Sequence, residues 1–318
     1  MDTGMTINGQ NCYDTWGVRL LKGCLGSVVC WPPLKDASVP VNNWQEEDGI
    51  EADLTAPKLD TRNVTINLST DGDYGHYRGF IAELEASAYH NIWFGPLDKT
   101  LRLRLVRMGS YDYGKRLGFV TATFADDFPL DGYEYSFPAA VESDTLPYDL
   151  PFTLGGIAAP EGAYTLDGRL FENYGVHIIL GTESSMWSHG AVKTALLTNN
   201  PSLQGAVYDG NAVVRTSAPQ VKMVCLLRAD NAAQMWERWN ALLYDLTRPG
   251  WHSIGGGMMD EERAFYYKGC SVTEFAIDDI NGAWIKFDIA LQLLAPLPVD
   301  MAKTARNGFP YNLPFIIG

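Results

Sequence analysis

The sequence predicts a mainly β protein with one helix per module (α+β), arranged as two tandem antiparallel β-sandwich or partly open barrel domains. Three observations carry this. The decapeptide Leu146-Pro147-Tyr148-Asp149-Leu150-Pro151-Phe152-Thr153-Leu154-Gly155 returns as Phe309-Pro310-Tyr311-Asn312-Leu313-Pro314-Phe315-Ile316-Ile317-Gly318, a separation of 163 positions (309 minus 146), and recurrence of so distinctive a run signals a repeated unit. The segments ahead of the two copies run in the same order. Each half also switches its apolar period once, from two to about 3.6 residues. The boundary falls at 158/159, giving modules 1–158 and 159–318, each near the commonest domain size.

Both modules open alike, with Thr6-Ile7-Asn8-Gly9 before Trp16-Gly17-Val18 in one and Thr165-Leu166-Asp167-Gly168 before Tyr174-Gly175-Val176 in the other. The alternating runs at 17–21 and 175–181 read as a first strand in each. A long polar segment follows, Pro32 to Glu51 and Thr198 to Gly210. Asp48-Gly49 and Asp209-Gly210 are expected to form corresponding tight two-residue hairpin turns, where glycine accepts a positive φ. Past Thr55-Ala56-Pro57 and Ser217-Ala218-Pro219 come strands at 64–68, rich in β-branched residues, and 223–227.

Tyr77, Phe80, Ile81, Leu84 and Ala88 then fall on one helical face, as do Trp236, Trp239, Leu242, Leu243 and Leu246 in the second module. These stripes predict core, not a cofactor box. Each helix ends before Gly95-Pro96 or Pro249-Gly250. Strands resume at 101–107 and 263–268, and closing strands run at 119–124 and 284–291.

Of 318 residues, 46% are hydrophobic, 19% charged and 12% aromatic, with a formal net charge of -14. That composition belongs to an ordinary folded protein. Up to Ala158 there are 22 acidic and 12 basic residues, against 16 and 12 beyond. Broad phosphate binding needs clustered Lys and Arg, so acidity argues against nucleic-acid affinity. A passage through which DNA slides without being held is compatible with it. No secretion signal and no membrane span is read from the sequence, so a cytosolic location is expected. The five cysteines (Cys12, Cys24, Cys30, Cys225, Cys270) do not correspond across the repeat, and reduced, mostly buried thiols are expected.

No catalytic residues, metal site or cofactor are read from the sequence. The histidines His76, His90, His177, His189 and His252 lack ligand spacing. Gly255-Gly256-Gly257 lacks the Lys-Ser/Thr of a phosphate loop and reads as a hairpin connection. The acidic groups 46–48, 126–127, 260–262 and 278–279 read as solvated loop charges. Arg102 and Arg104 share one strand face, which either pairs with neighbouring acids or meets another subunit.

The order of features resembles the tail-tube fold of bacteriophage tail proteins. It is most similar to the N-terminal domain of distal tail proteins, through Glu51-Ala52-Asp53-Leu54 and Leu59-Asp60-Thr61-Arg62-Asn63-Val64-Thr65-Ile66 of the first half, and the likeness covers nearly the whole chain, once per half. In the second half Arg215-Thr216-Ser217 and Gln220-Val221-Lys222 replace the latter stretch. The resemblance implies two tail-tube-like modules and a virion structural protein of a phage or prophage tail. It also implies a ring around the DNA channel, as a trimer with pseudo-sixfold symmetry or as a hexamer, beside neighbouring tail proteins as tube, distal tail or baseplate hub component. The proline-rich arms would then dock on adjacent domains through Pro147, Tyr148, Pro151 and Phe152, and through Pro310, Tyr311, Pro314 and Phe315. The alternative is a β-sandwich glycan-binding or adhesion module that uses Trp31, Trp44, Trp187 or Trp251 as exposed stacking platforms.

Overall fold

The computed structural model describes residues 4–138 and 164–296, apart from 22, 115, 116, 194–196, 203, 209–212, 258 and 279–281. Both proline-rich arms, with Pro147, Tyr148, Pro151, Phe152, Pro310, Tyr311, Pro314 and Phe315, lie outside the described residues.

Residues up to 126 give β1 (Met5–Ile7), β2 (Gln10–Asn11), α1 (Cys12–Trp16), β3 (Val18–Leu20), α2 (Gly26–Val29), β4 (Val41–Asn42), β5 (Glu51–Ala52), β6 (Arg62–Thr70), α3 (Tyr74–Glu85), β7 (His90–Phe94), β8 (Lys99–Met108), β9 (Asp112–Tyr113) and β10 (Gly118–Asp126). Residues from 165 give β11 (Thr165–Leu166), β12 (Arg169–Leu170), β13 (Val176–Ile178), α4 (Thr182–Met186), β14 (Leu197–Thr198), β15 (Val207–Tyr208), β16 (Gln220–Ala229), α5 (Ala232–Leu246), β17 (His252–Gly256), β18 (Met259–Asp278) and β19 (Gly282–Leu293). The first sheet runs β2-β1-β7-β8-β10-β6-β3, with β9 beside β10; the second runs β12-β11-β17-β18-β19-β16-β13. All pairings are antiparallel. The fold is mainly β with few helices, as the alternating periods require.

Position by position, the two sheets follow one plan. Val18 pairs Thr70 where Val176 pairs Leu227, and Leu68 pairs Val120 where Cys225 pairs Phe287. Leu105 pairs Phe124 where Tyr267 pairs Leu291, and each sheet then skips one residue in a bulge, Val106 in β8 and Lys268 in β18. Gly17 and Gly175 end the short helical turns before β3 and β13 at φ 63° and 67°. A side chain at Gly17 would meet the Asp71 carboxylate, and a Cβ at Gly175 would stand 2.7 Å from the Arg228 carbonyl. That explains the Gly-Val pair in each half.

Helix α3 starts at Asp73, whose carboxylate accepts from the Gly75 and His76 amides at 2.7 and 3.2 Å; Asn231 caps α5 through the Gln234 amide at 3.0 Å. Phe80 and Leu84 are buried on one helix, and Trp239, Leu242, Leu243 and Leu246 on the other. They share one hydrophobic cluster with the inward row of Val64, Ile66 and Leu68 on β6 and of Met223, Cys225 and Leu227 on β16. Most buried residues of both sheets belong to one continuous hydrophobic cluster, while Leu226 and Trp284 of the second sheet form a small separate one with Ile179.

One sequence expectation changes, and the structure adds two elements that the sequence reading left unassigned. Asp48-Gly49 is not a two-residue hairpin turn: Asn42 pairs Glu51, so residues 43–50 form the loop of β4–β5. The Asp48 carboxylate is held by the Thr216 amide at 2.7 Å instead, a tertiary contact invisible to local turn chemistry. Asp209-Gly210 lies outside the described residues. The Thr6-Ile7-Asn8-Gly9 opening is itself a hairpin, β1–β2, turning through Asn8 at φ 52° and Gly9 at φ 82°. Strand β7, whose residues fall between helix stripe and Gly95-Pro96, carries His90, Ile92 and Phe94 buried and pairs β1 with β8.

Candidate functional site

The residues that do the most unusual work lie between the two halves. Residues 30–60 leave the first sheet as an arm and pack on the second. Its root is fixed by α2, where Ser27 Oγ accepts from the Thr65 amide at 3.1 Å and donates to the Thr65 carbonyl at 2.8 Å. Its two legs are pinned by the bridge Leu34–Leu59 and the hairpin β4–β5.

Trp31 is the anchor, 3% exposed. Its ring lies on Trp239 at a centroid distance of 4.0 Å, with Phe287 at 5.4 Å and Tyr267 at 6.2 Å edge-on. Offset and edge-on aromatic packing adds stability beyond area burial. The backbone is read as well: Trp239 Nε1 donates to the Val29 carbonyl at 3.0 Å and Tyr267 Oη to the Pro32 carbonyl at 2.8 Å. The Leu34 amide donates to the carbonyl of the bulge residue Lys268 at 3.1 Å, and the Lys268 ammonium pairs with Asp36. A bulge leaves its residue outside the ladder, which makes that carbonyl available to the arm.

Further along, the Gly49 amide donates to the Thr216 carbonyl at 2.8 Å and the Ile50 amide to the Leu294 carbonyl at 2.9 Å. Lys193, buried, extends its ammonium from the second half into the 43–50 loop, donating to the carbonyls of Trp44 at 2.7 Å, Glu47 at 2.7 Å and Gly49 at 2.8 Å. Three acceptors match the three protons of an ammonium. Cys30 donates to the Cys270 carbonyl at 3.1 Å. A hydrogen bond from the Cys270 thiol, aided by the nearby Arg62 guanidinium, draws the Cys30 thiol down to about 7, while burial pushes Cys270 up.

Below the arm root, a cleft of about 510 Å³ opens between the halves, lined by Cys30, Arg62, Lys99, Asp126, Tyr133 and Trp236 among others. Arg62 Nε pairs with Asp126 at 2.8 Å, and burial draws the Lys99 ammonium down. The Lys99 ammonium lies over the Trp236 ring at 4.9 Å. Among the described residues no group of three or more His, Cys, Asp or Glu is placed to hold a metal, and no helix is long and apolar enough to cross a membrane.

No protein-family model matches this chain. No curated protein matches it. Among solved structures it is similar to the Dit protein of SPP1, whose structure is described as a paradigm of the hub adsorption apparatus in phages that infect Gram-positive bacteria. That likeness covers 91% of this chain and 97% of the other, at 10% identity and a TM-score of 0.27.

Of the residues singled out in the sequence, Arg104 makes a two-pronged contact with Asp127, at 2.7 and 3.1 Å. Arg102 lies over the rings of Tyr89 and Phe128 at 4.9 and 4.7 Å. Both are thus engaged within the chain. Cys12 and Cys225 are buried, and Cys24, Cys30 and Cys270 half-buried, all unpaired. The tryptophans part company: Trp44, Trp187 and Trp251 are exposed, but Trp31 is interior and offers no stacking platform. Sequence reasoning missed Trp31 as an anchor and Lys193 entirely. The one available signal was Trp31-Pro32-Pro33, an aromatic set before a stiff, extended run.

Proposed function

We propose that this protein is a structural component of a phage or prophage tail, forming a closed ring around the DNA channel as tube, distal tail or hub subunit, and that it has no enzymatic role. Modules 1–158 and 159–318 are proposed to be a tandem duplication, so that three chains supply six similar domains. One observation carries the reading: among the described residues, the contact of an arm with the other half's sheet runs in one direction. The arm of the first half grips the body of the second. The arm of the second half, residues 188–217, hydrogen-bonds among the described residues to the first arm and not to the first sheet.

A repeated contact that leaves a free arm at one end and a free body at the other is heterologous, and further copies satisfy it by closing a ring or growing a filament. Closure also protects sheet edges that an isolated domain would expose. The proline-rich arms (Pro147, Tyr148, Pro151, Phe152; Pro310, Tyr311, Pro314, Phe315) and the strand face of Arg102 and Arg104 are offered as further contacts to self or to neighbouring tail proteins. The net charge of -14 suits a wall along which DNA passes without adhering.

Mass photometry and negative-stain imaging over a concentration series test this. Rings of three or six chains with a central hole are expected. A particle that stays monomeric at the highest attainable concentration, alone and with the neighbouring tail proteins, overturns it.

A further inference from the structure

We infer that the second arm, through its described residues 188–193, 197–202, 204–208 and 213–217, is a docking element for the first sheet of another copy of this chain, seated at the bulge residue Val106. This rests on the ring reading above and names its interface. The arms are built alike. The hairpin Val41–Ala52 and Asn42–Glu51 has its counterpart in Leu197–Tyr208 and Thr198–Val207, with the same number of residues between the inner pair. The bridge Leu34–Leu59 has its counterpart in Val192–Thr216. The roots match too, since Ser185 Oγ accepts from the Lys222 amide at 2.7 Å as Ser27 does from Thr65.

Their surroundings differ. Leu34 is 6% exposed because the second sheet covers it, whereas Val192 is 53% exposed. Leu197, Val207, Val213 and Val214 are exposed along the same arm. Five large apolar side chains on one projecting segment are more than scattered surface residues and mark an interaction surface.

The receiving surface has the same history of being left open. The second sheet accepts the first arm at the bulge of Lys268, beside Tyr267 and under Trp239. Strand pairing and helix caps place Val106, Leu105 and Ile81 at the equivalent positions of the first sheet. Val106 is 50% exposed there, and Leu105 and Ile81 are half-buried. Where the backbone of Leu34 meets Lys268, the equivalent positions are Val192 on the second arm and Val106 on the first sheet, both apolar and exposed. The occupant is therefore a second copy, because the arm and its receptor are complementary by the template that the chain already displays internally. His189 stands where Trp31 stands in the first arm, so this contact lacks the large aromatic anchor and is the weaker, assembly-dependent version.

The test pairs a cysteine cross-link with assembly state. Val192→Cys/Val106→Cys is treated with a short bis-maleimide, with each single variant as control for the five native thiols. A ladder of linked dimer and trimer in the double variant alone is expected. Val106→Glu is expected to raise the concentration for half-assembly at least tenfold, since it places a carboxylate in an apolar contact, while monomer thermal stability stays unchanged. Rings that form without linkage, and are indifferent to Val106→Glu, overturn the inference, leave the ring reading intact and assign the arm to a different protein. Absence of any ring overturns both.

Discussion

Lys193→Met removes the cationic pin between the halves while keeping most of its aliphatic stem, and its cost follows from the acceptors left behind. The Gly49 carbonyl is buried, whereas Trp44 and Glu47 are exposed residues whose carbonyls water can reach. A hydrogen bond to a charged group contributes roughly 1.5–3 kcal/mol, and an orphaned buried acceptor loses that in full. Counting Gly49 at about 2.5 kcal/mol and the two others at about 1 kcal/mol each, because they rehydrate, gives a gross loss of about 4.5 kcal/mol. The ammonium itself no longer has to be desolvated, which brings the expected loss to about 3 kcal/mol. At about 2 °C per kcal/mol for a chain of this size, the thermal midpoint should fall by about 6 °C. Urea denaturation followed by tryptophan fluorescence measures the free energy, and limited proteolysis should open first in the 43–50 loop. Lys193→Arg should not rescue, because a planar guanidinium cannot aim three donors at three converging carbonyls. A loss under about 1 kcal/mol, or full rescue by Arg, refutes the reasoning.

Trp31→Ala empties the aromatic slot between Trp239, Phe287 and Tyr267 and should cost about 3–5 kcal/mol, with denaturation changing from one transition to two as the halves lose their contact; an unchanged single transition counts against it. The Cys30 thiol, drawn down to about 7 by Cys270, should show an alkylation rate that reaches half its maximum near that pH, and Cys270→Ala should move that point upward. Hydrogen bonding by Arg104 holds the Asp127 carboxyl below its ordinary 3.8. Its stabilisation is therefore complete above the unfolded value and is lost as pH falls through the folded one. Acid unfolding of Asp127→Asn should accordingly be shallower below about pH 4 than that of the parent chain, and an identical acid limb would remove the pair from the account.

Much of the architecture was legible residue by residue. Val64, Ile66 and Leu68 alternate because β6 has one buried face, and Phe80 and Leu84 recur at helical spacing because α3 turns one face into the same core. Gly17 and Gly175 announced themselves because only glycine fits a left-handed backbone pressed against Asp71 or Arg228. Short elements escaped. Strands β1, β2 and β7 span few residues, and their pairing partners lie up to ninety positions away (Met5 to Phe94), so no local period betrays them. The Asp48-Gly49 expectation failed for the same reason, since a long-range carboxylate contact decides that turn.

The sequence by itself determined the repeated order of strands and helices, because periodicity and glycine requirements are local and each half states them independently. Only the tertiary structure decided how the halves meet. Trp31 looks like any tryptophan until Trp239 lies under it, and Lys193 like any surface lysine until three carbonyls converge on it. Burial and hydrogen bonding between residues some 150 to 240 positions apart depend on where two sheets sit in space, which no window along the chain contains.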